Sequence, residues 1–192
     1  MAVSVDNIII GAGNLFISEQ SDNLEAIISD SAARDTYHVG GTMEGVEVQY
    51  EPDYVDVVVD QLKDAAMIYF NGYRVTVRTN LAEATLDNLK VAWGMPDAAL
   101  TSNSSTARLA LPIPEDEPRE RKLLVVGRSP LSSPTVTLER RYFCRRAVAV
   151  DASSHALKRG EATMFPVAFR ILADPTYSNN LGDYGYIEDA KQ

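Results

Sequence analysis

Apolar residues recur at alternate positions along much of the chain, which is the spacing of β-strands. Two neighbouring segments, 46–51 and 54–60, each place apolar side chains on one side and carboxylates on the other. The carboxylates are Glu47, Glu51, Asp56 and Asp60. Because the turn-forming residues 51–53 separate the segments, the pattern predicts an amphipathic hairpin with one acidic face.

A second hairpin is predicted over residues 65–79, with Asn71–Gly72 as its two-residue turn. Pairing across this turn puts Phe70 opposite Tyr73 and Ile68 opposite Val75, so apolar side chains share one face. The turn and the alternation therefore agree on the same register.

One helix is predicted directly after these strands. Asn80 stands in an N-cap position with Glu83 three residues later, and Gly94 and Pro96 mark the helix end. An apolar stripe with helical spacing predicts the face that docks on the sheet. Its members are Ala82, Leu86, Leu89 and Trp93.

Further strands are predicted at residues 7–18, 122–128, 135–150 and 161–173. The last strand alternates, with Thr163, Phe165, Val167, Phe169 and Ile171 on one face. Residues 95–119 hold a polar run and Pro112, Pro114 and Pro118, and they predict a long loop. Residues 178–192 predict a C-terminal arm that becomes ordered only on contact.

These elements together predict the fold class. About seven to nine strands with one helix indicate a mainly β protein, an antiparallel β-sandwich or barrel with one flanking α-helix. Residues 1–177 are long enough to form it as a single domain.

The composition of the 192-residue chain is that of an ordinary globular protein, with 45% hydrophobic and 23% charged residues. No apolar run approaches the ~20 residues that cross a membrane, so no membrane partner is expected. The N-terminus lacks the basic residues of a secretion signal, which favours folding in a cytoplasm. The single cysteine, Cys144, excludes an internal disulfide and a multi-cysteine metal site.

Charge is unevenly placed along the chain. Residues 1–64 hold 13 acidic and 2 basic side chains, a net charge of −11, whereas the remainder carries +2 and the whole chain −9. A protein that grips nucleic acid needs the opposite sign. The asymmetry suits either solubility alone or contact between the acidic and basic surfaces of two copies. The candidate basic contacts are Arg140, Arg141, Arg145 and Arg146.

No set of residues predicts an enzyme, a cofactor or a metal site. The segment IIIGAG at 8–13 is similar to the start of a dinucleotide-binding fold, but Phe16 stands where that fold needs a third glycine. His38 and His155 lack the paired spacing of metal ligands. Residues 151–155 include Asp, Ser and His, but a catalytic triad needs side chains that converge from separate elements.

The order of motifs from residue 37 to residue 94 resembles that of the tail tube (major tail protein) family of long-tailed bacteriophages. A glycine-marked strand at 39–42 precedes the acidic strand that ends at Asp60–Gln61, then come the hairpin and the run Asn80–Leu81–Ala82–Glu83. The C-terminal part is similar too, through EAT at 161–163, FPV at 165–167 and a strand that closes at Asp174–Pro175.

The resemblance implies a structural subunit that assembles as stacked hexameric rings, in a fold shared with secretion-system tube proteins. The lumen of such a tube carries the tape measure protein and later DNA, which passes without specific binding. The protein would then belong to the virion tail, assembled in the cytoplasm of the bacterial host. Residues 95–119 and 178–192 become candidates for contacts between rings.

The resemblance also offers an interpretation of Glu47, Glu51, Asp56 and Asp60 as a lumen wall that repels phosphates. Ordinary exposure to solvent is the other interpretation of these carboxylates. Two alternative functions stay open at this point: a secretion-tube-like or tail-completion ring protein, and a monomeric β-sandwich that binds a ligand.

Overall fold

A computed structural model describes most of the chain. It covers residues 13–58, 64–111, 118–132, 135–151, 153–156, 159–160, 162–177 and 183–191. Strands make up 49%, their pairing is antiparallel and the helices are few, so the predicted mainly β, antiparallel class is confirmed. None of the helices in these ranges is long and apolar enough to span a membrane.

Seven strands form the main sheet, and each pairs antiparallel with its neighbours. Along the sheet the order is β1 (Asn14–Glu19), β6 (Glu120–Arg128), β7 (Glu139–Ala149), β8 (Phe165–Leu172), β3 (Met67–Leu81) and β2 (Thr42–Val57), while β9 (Gly185–Asp189) pairs with β7. In the described part of the chain no pairing joins the outer strands, so the sheet is not closed. The outer strands do approach, since a Cβ atom placed on Gly13 would lie 3.9 Å from the Cβ of Val46.

The sheet curls around one main hydrophobic core. Leu15, Leu123 and Cys144 from one half of the sheet pack in the same cluster as Val77 and Phe169 from the other half. Burial of this apolar surface is the main stabilising contribution to such a fold.

A second cluster lies on the opposite face of β1, β6 and β7. It joins Phe16, Leu124 and Phe143 to Leu24 and Ile28. The covering segment is a 3-10 turn (Leu24–Ile27), helix α1 (Ser31–Arg34) and a second 3-10 turn (Asp35–Tyr37). Strand β6 is thus buried on both faces, which explains its continuous apolar run at 123–126.

The predicted alternation of the last strand is confirmed over the length of β8. Phe165, Val167, Phe169 and Ile171 are all buried. Strands β6 and β7 match the predictions at 122–128 and 135–150, with ends displaced by up to four residues. Of the strand predicted at 7–18, residues 7–12 are not described, and β1 occupies the rest.

The two predicted hairpins are wrong, because β2 and β3 form a single long hairpin. Strand β2 continues through residues 51–53 without turning. Its partner β3 continues through Asn71–Gly72, and the ladder extends from Thr42 and Leu81 to Val57 and Met67.

Asn71 and Gly72 form a bulge rather than a turn. Asp53 pairs with Gly72 and Tyr54 pairs with Phe70, so Asn71 has no residue opposite it. The backbone tolerance that makes Asn-Gly a good turn also suits a bulge, and the long ladder with β2 decided between them.

The predicted N-cap of the helix is also wrong. Helix α2 is Leu86–Ala92, and its cap is Thr85, whose Oγ1 accepts a hydrogen bond from the backbone N–H of Asn88 at 3.1 Å. Asn80 lies in β3 instead.

Only one member of the predicted docking face packs against the main core. Leu89 does so beside the buried Val91 and Ala92, whereas Ala82 precedes the helix and Trp93 is 39% exposed. The orientation of α2 on the sheet depends on Asn88. This buried polar residue donates from Nδ2 to the carbonyl oxygens of Val39 and Glu83. An apolar stripe cannot reveal a polar side chain that faces inward.

Two other segments are more regular than expected. The region predicted as a loop at 95–119 contains a 3-10 turn (Asp97–Ala99) and a two-stranded sheet of β4 (Leu100–Ser102) and β5 (Ala107–Leu109). Within the C-terminal region predicted as an arm, β9 pairs with β7 of its own chain, so contact with another molecule is not what orders it.

Gly185 allows β9 to pair, and Gly185→Ala tests this. The φ angle of Gly185 is 137°, and an added Cβ would lie 1.9 Å from the carbonyl oxygen of Phe143. We expect the substitution to lower the free energy of unfolding by about 2 kcal/mol or more, measured by urea denaturation. Amide hydrogen exchange in β7 should rise at 140–144.

Gly127→Ala is the matched control for this prediction. Gly127 lies in β6, and an added Cβ there meets no atom within 4 Å. Its effect should stay below about 1 kcal/mol. Equal effects of the two substitutions would contradict a steric role of Gly185.

Candidate functional site

The hairpin of β2 and β3 extends beyond the rest of the sheet. Strand β8 pairs with β3 only along Thr76–Leu81, so residues 50–57 of β2 and 67–75 of β3, here called the arm, have only each other as strand partners among the described residues. Eight residues of extended chain reach ~26 Å.

The arm exposes large apolar side chains on both of its faces. Its exposed apolar residues are Tyr50, Tyr54, Val55, Val57, Met67, Ile68, Tyr69, Phe70 and Tyr73, each between 37% and 64% exposed. The pair Tyr54–Phe70 lies on one face, and the next pair, Val55–Tyr69, lies on the other. Contiguous exposed apolar surface of this kind marks a site of contact with another molecule.

Aromatic contacts order one face of the arm and join it to the body. The rings of Tyr54 and Phe70 are 5.6 Å apart, and those of Tyr50 and Tyr73 are 5.2 Å apart. Tyr73 in turn lies 4.8 Å from Tyr184, which directly precedes β9. The base of the arm is therefore held by the segment that leads into β9.

Both edges of the arm carry open backbone ladders. No described strand pairs with the outer side of β2. On the other edge, no described strand pairs with residues 67–75 of β3, so their outward N–H and C=O groups have no strand partner. Soluble proteins usually protect such edges, since an open edge pairs readily with a strand of another molecule.

The structure separates the carboxylates that were predicted to share one face. Glu47 and Glu51 lie on the same face of β2, but Asp56 lies on the opposite face because the strand does not turn at 51–53. The prediction of one acidic face is therefore wrong, while Asp60 lies outside the described residues.

Arginines stand opposite the two carboxylates that do share a face. Glu47 pairs in register with Arg78, and Glu51 pairs with Arg74. Nη1 of Arg78 donates to Oε1 of Gln49 at 3.1 Å. This outer face, defined by these five residues, is therefore exposed and of mixed charge.

The four arginines predicted as subunit contacts all have acidic partners within the chain. Arg140 binds Asp189 at 2.6 Å and Arg141 binds Glu188 at 3.0 Å. The remaining ion pairs are Arg145 with Glu25 and Arg146 with Glu120. The acidic partners of Arg140 and Arg141 belong to β9. The sequence predicts no strand in residues 178–192, so it does not predict these ion pairs.

Hydrogen bonds from arginines lower the pKa of two carboxyl groups in this region. The guanidinium of Arg140 holds the pKa of Asp189 below its ordinary value. Arg34 does the same to the pKa of Glu139, and this buried arginine also donates to the carbonyl of Ile28, in the segment over the second cluster.

A charged cluster that the sequence did not reveal joins β1, β6, α2 and the 3-10 turn at Asp97. Lys90 binds Asp97 at 2.6 Å, and the buried Arg121 pairs with Glu19 and donates to the carbonyl of Met95 at 3.0 Å. Burial and a hydrogen bond with Asp97 raise the pKa of Glu19 to about 7, against the attraction of Arg121. Glu19 and Asp97 therefore share a proton over much of the acidic range.

Of the residues weighed for chemistry, His38 lines a concavity of about 470 Å³ together with Glu19, Lys90, Asp97 and Arg121. His38 accepts a hydrogen bond at Nδ1 from the backbone of Gly40, and the His155 ring packs on Phe165 at 4.8 Å. Burial raises the pKa of the Cys144 thiol to about 12, so this thiol stays protonated near neutral pH. In the described ranges no three His, Cys, Asp or Glu side chains are grouped as metal ligands.

The described surface has several open concavities with mixed polar and apolar linings. One of about 300 Å³ lies between the start of β2 and β8, and Glu44, Glu47, Arg78 and Asp151 are among its lining residues. It adjoins the outer face, so charged side chains extend from the arm base to this depression.

No protein-family model matches the chain, and no curated protein shows significant similarity to it.

The proton shared by Glu19 and Asp97 predicts a pH dependence of stability. The pKa of Glu19 is raised from 4.5 to about 7, so the folded chain binds more protons than the unfolded chain between these values. The free energy of unfolding contributed by this group should therefore fall as pH rises from about 4.5 to 7. Glu19→Gln should flatten that slope in urea denaturation across the same pH series.

Glu188→Gln is the control for this prediction, because its partner Arg141 lies in a different ion-pair network. It should leave the slope between pH 4.5 and 7 unchanged. An unchanged slope in Glu19→Gln would contradict proton sharing at Glu19.

Proposed function

We propose that this protein is a structural subunit that assembles into the stacked hexameric rings of a tail tube in a long-tailed bacteriophage, and that it catalyses no reaction. The observation that carries the proposal is the arm, an extended hairpin with apolar side chains on both faces and two open edges. A monomer in water gains nothing from such a surface, whereas an assembly buries it.

Ring formation gives each open edge a partner. In the proposed assembly the arm of one subunit extends the curled sheet of its neighbour, and repetition around a closed ring leaves no free ladder. The barrel expected for this family would then be completed between subunits. This accounts for a single chain whose outer strands β1 and β2 approach without pairing.

The outer face is the candidate lining of the conduit. Glu47 and Glu51 keep their proposed lumen role. Asp56 lies on the opposite face, and we assign it to the contact surface between subunits. Arg74 and Arg78 each stand opposite a carboxylate, which offsets their attraction for phosphates. DNA would therefore pass through without specific binding, after the tape measure protein leaves.

Assembly is tested by sedimentation velocity and negative-stain electron microscopy of the purified chain over a concentration series. We expect rings or hollow tubes to appear as concentration rises. Ile68→Lys and Tyr69→Lys, which change opposite faces of the arm, should reduce assembly because a buried lysine loses its hydration. Comparison of the two identifies the face that carries the contact.

Leu131→Lys is the matched control, because Leu131 is similarly exposed but lies outside the arm. It should assemble like the unchanged chain. A monomer at every concentration would contradict the proposal and favour a ligand-binding monomer, while rings that never stack would favour a tail-completion protein.

The lumen assignment is tested by charge reversal. Tubes that carry Glu47→Lys and Glu51→Lys should retain short duplex DNA in co-sedimentation, with retention that falls as salt rises. Asp87→Lys, at an exposed residue of α2 outside the arm, should retain less. Equal retention by both sets of variants would contradict the assignment of the outer face to the lumen.

A further inference from the structure

The bulge at Asn71–Gly72 places the only Asn-Gly pair of the sequence within the arm. The side chain of Asn71 is exposed, and no residue of β2 stands opposite it. On the other side of β3, pairing with β8 begins only at Thr76. The strand pairing that holds the rest of this ladder in place is therefore interrupted at Asn71, directly before the paired Gly72.

Space is also available at this position. A Cβ added to Gly72 would meet no atom within 4 Å, so nothing crowds the backbone next to the Asn71 side chain. Glycine leaves its own amide nitrogen unshielded and permits rotation of the adjoining bonds.

We propose that Asn71 is a site of spontaneous deamidation that weakens the arm. The backbone nitrogen of Gly72 loses its proton and forms a bond to Cγ of Asn71. The bond from Cγ to Nδ2 breaks, and ammonia leaves with that proton. Water then opens the cyclic imide at either carbonyl and yields aspartate or isoaspartate.

The product changes the contact that Asn71 makes across the hairpin. Nδ2 of Asn71 donates to Oδ2 of Asp53 at 2.6 Å. After deamidation a second carboxylate replaces this donor, so an attractive contact becomes a repulsion between like charges. Isoaspartate also lengthens the backbone by one carbon and disturbs the register between the pairs Asp53–Gly72 and Tyr54–Phe70.

Other described asparagines are less suited to this reaction. Asn14, Asn23, Asn80 and Asn88 are each followed by leucine, and the side chain of Asn88 is buried and donates two hydrogen bonds. Asn103 is exposed and followed by serine, but its Oδ1 accepts from the backbone N–H groups of Ser105 and Thr106. Asn103 therefore serves as an internal comparison.

The test is peptide mass spectrometry of the full chain after incubation at mildly alkaline pH and low protein concentration. Conversion at Asn71 should be several-fold faster than at Asn103. Gly72→Ala should slow it several-fold, and Asn71→Ser should abolish it. Conversion at Asn71 no faster than at Asn103, or unaffected by Gly72→Ala, would overturn the proposed site.

The effect on the arm is measured separately by hydrogen exchange on the unassembled chain. Asn71→Asp should raise exchange in residues 50–57 and 67–75, whereas Asn71→Ser, which adds no charge, should raise it less. Equal exchange in the two variants would overturn the weakening. Neither measurement depends on assembly, so both stand apart from the proposed function.

Discussion

The antiparallel ladder between β2 and β3 is the interaction on which the rest of the structure depends. It continues along both strands, although β8 supports only the half nearest the body. The supported half supplies Val77 and Leu81 to the main core. The unsupported half is stabilised by its own backbone hydrogen bonds and aromatic pairs, and its large apolar side chains are exposed in the described part of the chain.

Ion pairs hold the covering segments against this sheet. Arg140 and Arg141 bind carboxylates of β9, and Arg34 joins the segment over the second cluster to Glu139 of β7. These partly buried, hydrogen-bonded pairs leave no uncompensated charge where strands meet. Arg140, Arg141, Arg145 and Arg146 each have an acidic partner within the chain.

The arm offers apolar side chains for the association proposed above, and its two kinds of surface suit different roles. Apolar side chains and open ladders favour contact with a protein. Glu47, Glu51 and their opposing arginines form an exposed surface of mixed charge. An assembly that encloses a polyanion without gripping it needs both surfaces on one subunit. The proposed tube uses the same two strands for cohesion and for lining.

Alternation and apolar periodicity by themselves determined the β class, the buried face of β8 and the approximate positions of β6 and β7, because burial on a sheet imposes a period of two. Residue pattern could not determine which strands meet. Local turn preference at Asn71–Gly72 predicted a hairpin, yet pairing with β2 made it a bulge. Likewise, the inward-facing Asn88 and the Glu19–Asp97 pair depend on partners distant in sequence. Only tertiary structure decided these features, since hydrogen bonds and charges act through space while sequence pattern records neighbours along the chain.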